Sequence, residues 1–274
     1  MPLATLKEIL DQAQAEKRAV PMFNVIGVEY AEAIVLGAEE LGLPVMLGMP
    51  FLDWHIPANI SNFLIDLAGR VSVPVALHLD HGRDFAGVMR ALRLGFSSVM
   101  YDGSALPFEE NIKNTAEIVK ISHAMGVSVE GEMGFLGFEK HVEVKQDNLT
   151  KPEEAKEFVE RTGVDALAVA IGNAHGHYTG TPKIEMDRLR AIRSVVDVPL
   201  VLHGGSGIPN DVLKQSIAEG ICKVNIFTDM NDFTADFVKR SMDEGMSWAM
   251  ICKNMTVELR KYVVSVMRVL ARLD

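Results

Sequence analysis

Eight short apolar runs, separated by stretches of helical periodicity, constrain this chain more than any other feature. They are residues 20–25 (VPMFNV), 44–49 (PVMLGM), 74–80 (PVALHLD), 97–103 (SSVMYDG), 126–134 (GVSVEGEMG), 165–172 (DALAVAIG), 199–205 (PLVLHGG) and 223–229 (KVNIFTD). Most are continuously apolar rather than alternating, which is the pattern of strands covered on both faces of a parallel sheet. Between them lie EYAEAIVLGAEELG, DFAGVMRALRLG, FEENIKNTAEIVKISHAMG and KPEEAKEFVERTG, with apolar residues at helical spacing and a glycine at the stop. Eight such units without a compositional break predict an α/β fold of the (β/α)8 TIM-barrel type, and 274 residues suit one. A doubly wound open sheet is the rival, and it fits less well because the alternation continues through all eight units. No linker divides the chain, so a single domain over 1–274 is expected, with a helical extension from about 232 to 274 that closes the barrel or covers a partner.

The polar residues then sort themselves along the runs. Asp80 and His81 end the third, Asp102 the fourth and Glu132 the fifth; His175 follows the sixth, His203 ends the seventh, and Asn225 to Asp229 end the eighth. All fall on the C-terminal side of the strands, the face where barrel enzymes carry their active sites. A buried strand rarely ends in grouped imidazoles and carboxylates, because each is costly to desolvate without a partner. His81, His175 and His203, with Glu132 as a further donor, compose a ligand set for Zn²⁺ or a similar divalent ion with one position open to substrate. His55, His123 and His141 are expected to be hydrogen-bonded residues of the core or rim, and His177 is left open. His78 shares a strand face with Asp80 by the two-residue period, and is expected to orient a neighbour rather than bind the ion.

Glycine-rich HGGSG (203–207) and NIFTD (225–229) follow strands seven and eight. In barrels these loops often cradle a phosphate with backbone N–H groups and a hydroxyl. Gly204, Gly205, Ser206 and Thr228 could supply that cradle; a plain turn is the alternative. An ion, a phosphate pocket and a free carboxylate together suggest carbonyl chemistry, with a Lewis acid on a ketone and an Asp or Glu moving protons.

Composition narrows the partners. A net charge of −10 argues against nucleic acid, which calls for clustered Lys and Arg. Two cysteines without CxxC spacing imply neither a disulfide framework nor a cysteine metal site. The N-terminal pattern is an amphipathic helix without the features of a signal peptide, and no run reaches the 18 apolar residues of a membrane span. A cytoplasmic protein is expected.

The stretches PMFNV, HLDHG, SSVMYDGS, FEENI, VSVEGEMG, AIGNAHGHYTGTPKIEMDRL, PLVLHGGSGIP and KVNIFTD resemble, in order, the class II zinc-dependent ketose-bisphosphate aldolases, the fructose- and tagatose-bisphosphate aldolase family. The resemblance covers residues 1 to about 230. It implies aldol cleavage of a sugar phosphate to dihydroxyacetone phosphate and an aldehyde, one Zn²⁺ (or Co²⁺ or another divalent ion) per subunit, and a homodimer or homotetramer. Carried over by motif, it makes His81, His175 and His203 the metal ligands, with Glu132 a fourth that swings away. Asp80 becomes the proton carrier at the C4 oxygen. Asn24 and Asn225 position substrate, and Gly176, Gly204, Ser206 and Thr228 hold the C1 phosphate. A loop glutamate exchanges the C3 proton; in GFLGFEKHVEV that is Glu139, with Glu143 in reserve.

Departures from the family concentrate on the far end of the substrate. LGMP at 47–50 stands where a Gln-x-Ser signature is usual, Thr179 where a lysine is usual, and Phe227 where a polar residue is usual. Arg260 is the only substitute for an arginine that normally reaches the distal phosphate. Each lost charge-assisted hydrogen bond is worth roughly 1.5–3 kcal/mol, so a re-shaped aldehyde side is expected. The other readings are an aldolase for an unphosphorylated ketose or keto acid, and a silent metal-binding relative. A metal-dependent hydrolase is disfavoured, because its usual His-x-His on strand one is replaced by FNV.

Overall fold

In the computed structural model, which describes residues 3–50, 58–134, 148–178 and 180–273, eight strands close into a barrel in chain order. They are β1 (Val20–Asn24), β2 (Val45–Met49), β3 (Val75–Gly82), β4 (Ser98–Tyr101), β5 (Ser128–Met133), β6 (Ala166–Val169), β7 (Leu200–Leu202) and β8 (Ile221–Ile226). Every neighbouring pair is parallel, including the closing pair of β1 with β8. The predicted TIM barrel is the observed fold. Its wall is buried on both faces, which is why the strand sequences are continuously apolar.

The helices follow from local chemistry. The first, α1 (Leu6–Ala15), starts at a capping box in which Thr5 and Glu8 satisfy each other's backbone N–H groups. Its stripe of Leu6, Ile9, Leu10 and Ala13 plugs the base of the barrel lumen against Met22, Ala76, Ala168 and Val201. Each of the larger side chains contributes about 1.5–3 kcal/mol by burial. Around the wall, α2 (Val28–Leu41), α3 (Ala58–Gly69), α4 (Phe85–Arg93), α5 (Phe108–Ala124), α6 (Pro152–Thr162), α7 (Met186–Arg193) and α8 (Asn210–Ala218) alternate with the strands. The main core lies between them and the barrel.

The C-terminal end departs from the sequence expectation. The eighth strand begins at Ile221, two residues early. It carries an extra residue at Cys222, because Leu200 faces Ile221 while Val201 faces Lys223. It ends at Ile226, and Thr228 opens a helix, α9 (Thr228–Asp243). The Ser206 hydroxyl accepts from the N–H groups of Phe227 and Asp229, capping that start. Last comes α10 (Trp248–Leu270), packed along α2 and α9. None of the described helices is long and apolar enough to cross a membrane.

The lumen is thus stratified. Apolar residues and α1 fill its base, and a fully buried polar layer of His78, Glu130 and Lys223 lies above. The strand ends that carry Asp80, His81, His203 and Asn225 form the top.

Candidate active site

Consecutive strand residues point to opposite faces, so a regular β3 could not bring both Asp80 and His81 to the barrel mouth. The strand is not regular there. Its register against β4 slips between Leu79 and Gly82, and His81 sits in the left-handed region at φ 51°. Bulge and turn together rotate His81 beside Asp80. A non-glycine residue in that region costs of order 1 kcal/mol or more, and such positions cluster at functional sites. Glycine is needed next in sequence, because a Cβ on Gly82 would lie 2.6 Å from the Met100 carbonyl oxygen.

Three imidazoles meet at this point. Ring centres of His81 lie 4.9 Å from His175 and 4.8 Å from His203, and one ring nitrogen from each of the three lies within 4.8 Å of the others. Hydrogen bonding selects which nitrogens face inward. Asp102 stands 2.9 Å from His81 Nδ1, and Glu130 stands 2.8 Å from His203 Nε2. A carboxylate accepts from an N–H, so each ring carries its proton on the outer nitrogen. The inner nitrogens, His81 Nε2 and His203 Nδ1, are 3.0 Å apart. In the neutral rings two lone pairs then face each other, which is stable only around a shared cation or proton. Carboxylates fixing the far nitrogen of inward-facing imidazoles are the usual support of a metal site. The donor set fits a borderline divalent ion such as Zn²⁺.

The electrostatics agree. Burial pushes the His81 imidazolium down, but Asp80, Asp102 and Glu132 overcome it and raise its pKa to about 9. The site therefore demands positive charge. Burial, with His81 and Lys223 nearby, holds His203 well below the usual range and neutral. Glu132 is pushed up, by burial first and then by the Asp102 charge. Its Oε2 is buried without a hydrogen bond and lies 3.8 Å from His81 Nδ1, on the Asp102 side of that ring. The structure thus groups Glu132 with His81 and Asp102 rather than with the three inward nitrogens.

Asp80 is buried and clamped. Asn24 Nδ2 donates to one carboxylate oxygen at 2.8 Å, and Asn225 Nδ2 to the other at 3.1 Å. Burial opposes its charge, but His81, His203, Lys223 and the Asn24 amide outweigh burial and hold it below the ordinary carboxylate range. It is a charged, oriented acceptor at neutral pH. The two amides are spent, at least in part, on Asp80, and Asn225 Oδ1 is left buried without a hydrogen bond.

A cleft of about 820 Å³, counted to its open mouth, lies over this cluster. Asn24, Asp80, His81, His175, Gly176, Gly204, Ser206, Asn225 and Thr228 all line it, as do Pro50 and Phe227. His203 and Glu132 are buried next to it. Gly204 shows why glycine is required in the loop: at φ 60° a Cβ would fall 2.0 Å from the Ala174 carbonyl oxygen. Gly204→Ala is therefore expected to cost about 1–3 kcal/mol, read as a lower midpoint in urea, and to shift the loop against His175. An unchanged midpoint would contradict this close approach.

Other residues singled out in the sequence fall elsewhere. His123 pairs with Asp165 at 2.8 Å, the hydrogen-bonded rim position expected of it. His177 pairs with Asp232 on the surface and does not line the cleft. His78 contacts Ser98 at 2.7 Å and lies one layer below Asp80. Arg260 is paired with Glu40 of α2, so it is no stand-in at the cleft. Glu139, Glu143, Thr179, His55 and His141 lie outside the described residues. The sequence reading missed Glu130, although the two-residue period of SVEGEM places it on the face of Glu132. It noted Asp102 without giving it a partner.

Comparison with known proteins points the same way. The family described as fructose-bisphosphate aldolase class-II matches residues 4–273. The YdjI aldolase from Escherichia coli K12 is 32% identical with a TM-score of 0.88, over 98% of this chain and 97% of that one. A protein from Coccidioides immitis, provisionally named a fructose-1,6-biphosphate aldolase, is 30% identical with a TM-score of 0.88, over 97% and 95%. The fructose-bisphosphate aldolase from Campylobacter jejuni shares the fold at 23% identity, with a TM-score of 0.84 over 98% and 95%. A match over nearly the whole length, with imidazoles and a clamped aspartate converging at the barrel mouth, leads to one conclusion: the chain belongs to the class-II fructose-bisphosphate aldolase family and is a lyase of the aldol type.

Proposed function

We propose that the chain catalyses reversible, Zn²⁺-dependent retro-aldol cleavage of a ketose phosphate to dihydroxyacetone phosphate and an aldehyde that carries no second phosphate. The observation that carries this reading is the close approach of the inward nitrogens His81 Nε2 and His203 Nδ1, 3.0 Å apart and beside the clamped Asp80. His81, His175 and His203 would hold the divalent ion, which would supply Lewis acidity toward the substrate carbonyl. Asp80 accepts the O4 proton as the C3–C4 bond breaks, the bonding electrons passing to C3 and the adjacent carbonyl, and returns the proton in condensation. Asn24 and Asn225 keep its oxygens aimed throughout. Glu139 is the proposed proton carrier at C3.

Gly176, Gly204, Ser206 and Thr228 are the proposed C1-phosphate cradle. The Ser206 oxygen already accepts from two backbone N–H groups, so its own proton is available to an anion. The start of α9 adds a favourable dipole. At the aldehyde end, Pro50 and Phe227 line the cleft, and neither can donate a hydrogen bond to a phosphate from its side chain. A homodimer or homotetramer in the cytoplasm completes the reading. Exposed Trp248, Met250 and Val257 on α10 support a partner copy, and two free cysteines suit a reducing compartment.

The test is a cleavage screen with both fragments identified. Ketose 1-phosphates should be cleaved with kcat/KM at least equal to that for fructose 1,6-bisphosphate, with dihydroxyacetone phosphate as the shared product. A strong preference for the bisphosphate over its monophosphates would overturn the aldehyde-side assignment.

A further inference from the structure

Beneath the cleft, the barrel lumen holds a full ion pair that touches no solvent. Lys223 Nζ lies 2.7 Å from Glu130 Oε2, and both side chains are 0% exposed. The layer below is apolar, so apolar side chains can fill this lumen. Buried ion pairs are weak contributors to stability, and well-packed apolar replacements are often neutral or better. Fold stability therefore does not account for the pair.

Hydrogen-bond accounting around His203 does. Its Nε2 has two neighbours of opposite demand: the Glu130 carboxylate at 2.8 Å, an acceptor, and the Asn225 amide nitrogen at 3.3 Å, a donor. If the acceptor prevails, the ring proton sits on Nε2 and the Nδ1 lone pair faces His81. If the donor prevails, the proton moves to Nδ1 and blocks the inward position. Glu130 decides the contest through its charge and shorter distance, and Lys223 holds its second oxygen so that the first stays on His203. His78 flanks the pair, its Nε2 3.7 Å from Glu130 Oε2 and its Nδ1 2.7 Å from the Ser98 hydroxyl.

We propose that Lys223 and Glu130 are a positioning pair that selects the His203 tautomer with Nδ1 facing His81, and thereby sets how tightly the site holds a divalent ion. Neither residue touches the cleft, so neither is a catalytic residue. The inference rests on the metal reading of the three imidazoles given above.

The test uses the full-length Glu130→Met/Lys223→Met double variant, which removes both charges together and keeps comparable volume, with Glu130→Gln as the isosteric second variant. Zn²⁺ affinity is read by competition with a chromophoric chelator, and site geometry by the visible absorption of bound Co²⁺. Disrupting such outer hydrogen bonds typically weakens metal binding about 10–100-fold. That loss, with altered Co²⁺ bands, is expected in each variant that melts like the wild type. A purely structural pair would instead show wild-type affinity and Co²⁺ bands in any folded variant, and that result overturns the proposal. Wild-type protein that takes up neither ion overturns the metal reading and this inference with it. Wild-type uptake with unaltered variants overturns this inference alone.

Discussion

Replacing Asp80 with alanine should lower the retro-aldol rate roughly 10²–10⁴-fold, the usual contribution of a positioned general acid–base group, with bound-metal content unchanged. The loss should appear in kcat and kcat/KM together, because the proton leaves O4 only as the carbon–carbon bond breaks. The carboxylate is not one of the three inward nitrogens, so its removal leaves them in place. It does strip Asn24 and Asn225 of their common acceptor, a cost of about 1–3 kcal/mol when a buried donor loses its partner. A melting curve must accompany the kinetics so that instability is not read as lost chemistry. Asp80→Asn separates the two further, since it fills the same volume and keeps one oxygen for the amides while losing the base. Activity within tenfold of wild type in either folded variant would remove Asp80 from the chemistry.

The parts of this site that could be read in the sequence are those written at strand ends. His81, His203 and Asn225 each terminate an apolar run, and a costly polar residue at such a place signals a shared purpose. His175, in the loop after β6, was reached by the same logic. The barrel itself was legible because strands buried on both faces leave a continuous apolar record. What escaped was pairing. Lys223 and Glu130 are 93 residues apart, and a charged residue inside an apolar strand does not name its partner. The Asp102–His81 contact was hidden for the same reason. Asn24 and Asn225 were expected to position substrate; that their Nδ2 groups hold Asp80 is set by side-chain rotation that no spacing encodes. The left-handed turn at His81 was also invisible, since LDHG could have continued as a regular strand. Thr228 was assigned to a strand because NIFTD looks extended until the Ser206 hydroxyl caps it as a helix start.

Removal of the divalent ion should bring the rate to background and also loosen the fold. Asp80, Asp102 and Glu132 crowd one barrel mouth, with the Glu130–Lys223 ion pair buried one layer below. Two inward imidazole nitrogens, His81 Nε2 and His203 Nδ1, meet at 3.0 Å. Without an ion, a proton on His81 bridges that contact, but one proton cannot serve all three imidazoles and polarise a ketone as well. A ligand that binds only the folded state stabilises it by RT ln(1 + [L]/Kd), about 4 kcal/mol at a thousandfold excess over Kd. Chelation should therefore lower the melting temperature by several degrees, and Zn²⁺ or Co²⁺ should restore both melting temperature and rate. His203→Ala should behave as the stripped enzyme even in excess Zn²⁺, since it deletes one of the two facing nitrogens while leaving Asp80 clamped by Asn24 and Asn225. Two results would contradict the cation's place at the centre of this site: full activity in chelator with no metal by elemental analysis, or wild-type activity in the His203 variant. The clamped aspartate would then need another electrophile to work against, and the cleft offers none among its described residues.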